Sequence, residues 1–129
     1  MPSRHKPRIG EIFWLDDCPP LDGQMVKRRP VVFLGSIRQT DPQSPLLVVA
    51  VSHTASQPER DPDMIRLPDL QQSPQVRTGL SRPSWAIPRW FAVIEPQRID
   101  VPMGYLSGSL LKRLIAAVNR RVDQAERES

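Results

Sequence analysis

Apolar positions in this chain alternate with polar ones over short spans, and a helical period appears only near the carboxy terminus. Residues 9–15 are rich in β-branched and aromatic side chains (Ile9, Ile12, Phe13, Trp14) and stop at Asp16-Asp17, which predicts a strand. Pro19-Pro20 and Asp22-Gly23 then supply turn chemistry. Residues 31–34 predict a second strand, closed by Gly35, and 38–45 a polar loop. Residues 46–51 form the longest apolar run, which predicts a central strand covered on both faces. Residues 64–67 predict a short strand stopped by Pro68. A long loop follows over 68–83, and loops beyond about 12–15 residues are uncommon unless functional or mobile. Residues 84–87 and 91–95, separated by Pro88, predict two more strands. Another is predicted within 99–105, where Pro102 restricts it to an edge or a bulge.

The period then changes. At about 100° per residue, Leu110, Leu111, Leu114, Ile115, Val118 and Val122 fall within an arc of roughly 140°. Lys112, Arg113, Ala116, Asn119 and Arg120 lie outside it. This predicts an amphipathic helix over 109–122, capped by Ser107 or Ser109, with its apolar stripe against a core or partner. Residues 1–8 read as a flexible basic arm and 123–129 as a charged tail. The outline is one domain over 9–122: five to seven short strands in a small, strongly curled sheet or partial barrel, with a terminal helix.

Composition narrows this picture. The chain has 129 residues, enough for one ordinary core. Its 15 prolines are more than twice the usual share of about 5%, which argues against a helical bundle. No apolar run approaches the roughly 20 residues of a membrane span, and no secretory apolar region follows the basic start. Cys18 is the only cysteine, so an internal disulfide and a cysteine-rich zinc site are excluded, and cytoplasmic residence is expected. The formal charge of +4 is compatible with a nucleic-acid partner. The aspartates at 16, 17, 61, 63 and 69 match no calcium loop, and the two histidines match no metal-ligand pattern. No glycine-rich nucleotide loop or nucleophile elbow occurs, so neither metal nor cofactor is expected.

Three clusters can carry chemistry. In Lys27-Arg28-Arg29-Pro30, Pro30 forces Arg29 to be extended, so Lys27 and Arg29 share a face and Arg28 points away. A guanidinium at the mouth of a strand suits a phosphate. In Ser52-His53-Thr54, at the end of the apolar run, Ser52 and Thr54 share a face and His53 takes the other. His53 can do acid–base work near neutral pH. The stretch from Trp85 to Phe91, with Arg89 and Trp90, can stack unpaired bases. Each cluster also has a plainer reading: a solvated charge run, a strand exit bonding its own backbone, and a core strand filled by aromatics.

Together these pieces resemble the PemK/MazF family of toxins, the growth-inhibiting halves of bacterial toxin–antitoxin pairs. The resemblance lies in Ile9-Gly10-Glu11-Ile12-Phe13-Trp14-Leu15-Asp16, in Lys27 to Leu34 with Arg29 before Pro30, and in Leu47-Val48-Val49-Ala50-Val51-Ser52. It is looser from 64 to 118. It implies a mainly β, SH3-like, strongly bent barrel with a carboxy-terminal helix, acting as a homodimer. It also implies a metal-independent endoribonuclease on single-stranded RNA, in which the ribose 2′-hydroxyl attacks the adjacent phosphate to leave a 2′,3′-cyclic phosphate and a 5′-hydroxyl. The family's arginine before proline falls on Arg29 and its hydroxyl residue on Ser52, where threonine is usual. His53 is a further candidate for acid–base work, and Lys27, Arg28, Thr54, Arg89 and Trp90 are candidates for RNA contact. The family's later glutamine-x-arginine has no match near residues 90–92, where Arg89 is the nearby charge. A small acidic antitoxin is the implied partner. Two other readings remain: a toxin-fold protein that binds a target such as DNA gyrase without cleaving RNA, and a plain SH3-like interaction module.

Overall fold

The β-branched runs pair with one another. The computed structural model describes residues 7–18, 27–36, 44–53, 63–99, 101–106 and 108–128. Among the described residues there are six strands: β1 (Glu11–Cys18), β2 (Lys27–Ser36), β3 (Leu46–Ser52), β4 (Ile65–Leu67), β5 (Ser84–Ile94) and β6 (Pro102–Tyr105). A short 3₁₀ turn, Pro96–Arg98, precedes β6, and one helix, α1 (Gly108–Glu128), ends the chain. All ladders are antiparallel, in the order β4-β5-β3-β2-β1-β6.

Strand alternation sorts the apolar residues into two cores. Val49 and Val51 of β3 join Ile12, Val32, Ala86, Ile65 and Leu67 in the first. Leu46, Val48 and Ala50 join Phe13, Leu15, Val31, Phe33 and Trp90 in the second. β3 is therefore central and covered on both sides, as its unbroken apolar run required. The helix lays Leu114 and Val118 into the first core, flanked by Leu110, Leu111, Ile115 and Val122, so the six-residue stripe faces inward as a unit. The fold is thus the mainly β, strongly bent sheet with a terminal helix that the pattern implied.

Several boundaries differ from those that the pattern predicts. The strands expected at 84–87 and 91–95 are one strand, β5, carried through Pro88 by a bulge. Between Ala86 and Phe91 β5 takes five steps where β3 takes two from Val51 to Val49, so the extra residues bow outward and bend the sheet. The basic run at 27–30 lies within β2 rather than before it. The helix continues past Val122 through Glu128, because Gln124, Glu126 and Arg127 are good helix formers and no glycine or proline intervenes. It starts at Gly108, so Ser109 is already helical, and Ser107 lies outside the described residues.

Two connections tie the bent sheet together. Gly10, with φ of +97°, donates to the Phe33 carbonyl (2.8 Å) and accepts from the Leu106 amide (2.7 Å), and a Cβ there would strike the Leu106 carbonyl. The loop 68–83 joins one sheet edge to the other: it leaves β4, pairs with itself at Leu70 and Leu80 (2.8 Å), and accepts from the Tyr105 amide of β6 at the Arg77 carbonyl (2.9 Å). Gly79, at φ of +76°, lets its backbone press against Met103 of β6. β6 is the edge strand to which Pro102 was expected to be restricted.

Candidate functional site

Arg29 and Ser52 sit at the same end of two neighbouring strands. The β2–β3 ladder pairs Val31 with Ala50, and continuing that register by two residues sets position 29 opposite position 52. Residues opposite each other on antiparallel strands share a face. Here it is the face of the second core, next to Leu15, which pairs with Arg29 across β1. Both side chains are buried, each only 3% exposed.

A buried guanidinium needs compensation. The Arg29 Cζ lies 4.6 Å from the Trp90 ring centroid, within cation–π range. Its Nε is buried and makes no hydrogen bond among the described residues, although the residue has other interactions. Burial lowers the guanidinium from its ordinary range, and Cys18 opposes that shift. An arginine starts so high that it remains charged at neutral pH. The same burial pushes the Cys18 thiol above its ordinary 9.0, against the smaller pulls of Arg29 and Arg98. Arg29 is therefore a fixed cation in a poorly solvated place.

The opposite face of the same strand ends looks into a cleft of about 510 Å³ lined by Trp14, Arg28, Val51, His53, Arg82 and Met103, among others. Arg29 also borders this cleft, whereas Ser52 does not line it. Arg28 lies 4.6 Å from the Trp14 ring centroid and pairs with Asp16 at 3.0 Å. His53 is exposed and shares this face with Val51, so it is not on the face of Ser52. Ser52 thus lies on the side of the sheet away from the cleft, while Arg29 borders the cleft from the strand end.

The remaining expected residues separate. Trp90 is 4% exposed and carries Arg29 on its ring, so it supports the guanidinium from the core instead of offering its face to solvent. Arg89 is exposed on the β5 bulge. The side chain of Lys27 and all of Thr54 lie outside the described residues. Trp14, Arg82 and Met103 carry no local signal of a site, because the cleft they line draws on β1, β2, the loop 68–83 and β6 together. Among the described residues no three of His, Cys, Asp and Glu gather as a metal site. No helix there is long and apolar enough to cross a membrane.

No protein-family model matches the sequence, and no curated protein does. Among solved structures the chain is similar to the Mycobacterium tuberculosis toxin MazF-mt6, with a TM-score of 0.62 and 21% identity over 88% of this chain and 96% of that one. At this identity the likeness establishes a MazF-like fold, the one that residues 9–54 suggested.

Proposed function

We propose that this chain is the toxin of a toxin–antitoxin pair and an endoribonuclease that cuts single-stranded RNA without a metal ion. One observation carries the reading: Arg29 and Ser52 occupy facing positions on adjacent strands of a MazF-like sheet. Strands hold side chains more firmly than loops do, and a reacting phosphate needs donors fixed in advance.

In the proposed reaction the ribose 2′-oxygen attacks the adjacent phosphorus, and the bond from phosphorus to the 5′-oxygen breaks. Negative charge builds on the non-bridging oxygens of the phosphorane. Arg29 stabilises that charge, more strongly because its surroundings are poorly hydrated. The Ser52 hydroxyl donates a hydrogen bond to one of those oxygens. Arg29 keeps its proton, so it is not the base. The attacking hydroxyl loses its proton to water and the departing 5′-oxygen takes one from water to become the 5′-hydroxyl, since His53 lies on the face away from Ser52. A substrate phosphate reaches the pair at the strand mouth, where β2 begins and β3 ends. A cytoplasmic homodimer held in check by a small acidic antitoxin completes this reading.

The burial of both head groups favours a second reading, in which the same fold binds a protein target such as DNA gyrase and leaves RNA intact. End chemistry separates the two. Purified protein with single-stranded RNA and EDTA is expected to yield 5′-hydroxyl ends, and Arg29→Ala to yield none. Intact RNA together with gyrase inhibition would establish the second reading instead.

A further inference from the structure

The row that begins at Arg29 and Ser52 continues across two more strands. Ser52 pairs with Trp85 on β5, and Trp85 pairs with Arg66 on β4. Their neighbours Ile65, Leu67 and Ala86 all turn into the first core, so Trp85 and Arg66 present the other face, the one that carries Arg29 and Ser52. Successive members of the row are one strand apart, about 4.8 Å. At its far end the row surfaces: Trp85 is half-buried and the Arg66 side chain is 44% exposed.

Arg66 is held in a fixed pose. Its Cζ lies 5.2 Å from the Trp85 ring centroid, and its Nη2 lies 3.3 Å from Asp69 Oδ2. Asp69 is fully buried and anchored in turn, its Oδ1 accepting the Gln71 amide at 2.9 Å and the Gln72 amide at 3.3 Å. The carboxylate offsets the charge of Arg66, so this guanidinium is a weaker phosphate clamp than a free one. What remains is a flat cation seated on an indole, a surface on which an unpaired base stacks.

We propose that Trp85 and Arg66 form the stacking platform for the nucleobase next to the phosphate held at Arg29 and Ser52. This rests on the RNA reading above. The platform positions the strand without choosing its sequence, since every base has a π-face. Asp69 is a positioning residue, acting only through Arg66.

A short 2′-O-methyl RNA oligonucleotide tests the platform apart from cleavage, because it has no attacking hydroxyl. Binding is measured with the full chain at one fixed ionic strength, using oligoadenylate and oligouridylate. Trp85→Leu is expected to weaken binding by about 5- to 100-fold, the range that one lost base stack produces. Trp85→Phe should recover most of that loss, and Arg66→Gln should fall between. Oligonucleotide binding should quench indole fluorescence in the parent, with the quench largely lost in Trp85→Phe, a substitution that keeps an aromatic ring in the fold. Unchanged affinity in Trp85→Leu with the quench intact in Trp85→Phe overturns the proposal. If the parent binds through Trp85 yet cuts no cleavable RNA, the platform stands and the nuclease reading falls. If the parent cuts RNA while Trp85→Leu cuts it with unchanged KM, the platform falls and the nuclease stands. A parent that binds no single strand overturns both.

Discussion

Arg28 and Arg29 are adjacent in the chain and opposite in circumstance. Arg28 has a side chain 49% exposed, paired with an exposed Asp16 beside Trp14 on the cleft. Arg29 is buried over Trp90, facing the position of Ser52. The same group is thus offered to solvent on one face and kept in a poorly hydrated place on the other. Charge in water is screened and contributes little, whereas charge held away from water acts strongly on any anion that reaches it. Strand alternation alone makes this division, and it is why the proposed chemistry rests on Arg29 and not on Arg28.

The sharpest way to break this comparison is Arg29→Met, which keeps much of the packing on Trp90 and removes the charge. Cleavage should fall by at least about 10²-fold, the usual loss when a preorganised donor is removed. Thermal unfolding should show a protein no less stable than the parent, because an apolar side chain avoids the desolvation cost of a buried ion. Ser52→Ala should follow with about a 10- to 100-fold loss in kcat, the worth of one hydrogen bond to a charged group, and Ser52→Thr should remain active. Cys18 sharpens the comparison through pH. Its thiol keeps its proton in the folded chain above pH 9.0, where the unfolded chain releases it. The folded state then binds more protons, so stability should decline as pH rises past about 9, by at most about 1.4 kcal/mol per pH unit. Denaturant unfolding of Cys18→Ala should lack that decline. Arg28→Ala should be the mildest, changing stability by no more than about 1 kcal/mol, with the difference shrinking in high salt.

How far the sequence carried can be seen at particular residues. The run 46–51 announced a doubly covered strand because nothing polar interrupts it, and the stripe from Leu110 to Val122 announced a helix face. Alternation separated Arg28 from Arg29 and Ser52 from His53, since a period of two survives any tertiary arrangement. What alternation could not give was register between strands. The pairing of Ser52 with Trp85 depends on the β3–β5 bulge around Pro88, where local pattern signals a break, and that of Trp85 with Arg66 on a ladder to β4 that no local pattern reveals. Hence Trp90 looked as available as Trp85, and only the assembled sheet put one in the core and the other at the surface. The helix end was missed for a simpler reason: a solvated final turn needs no apolar period.

The central claim is that Arg29 performs the chemistry while the fold does not need its charge. One measurement addresses it directly: the rate and end chemistry of single-stranded RNA cleavage by the parent and by Arg29→Met, at matched thermal stability and with EDTA present. The account predicts 5′-hydroxyl fragments from the parent and intact RNA from the variant. Equal cleavage by the two proteins would contradict it.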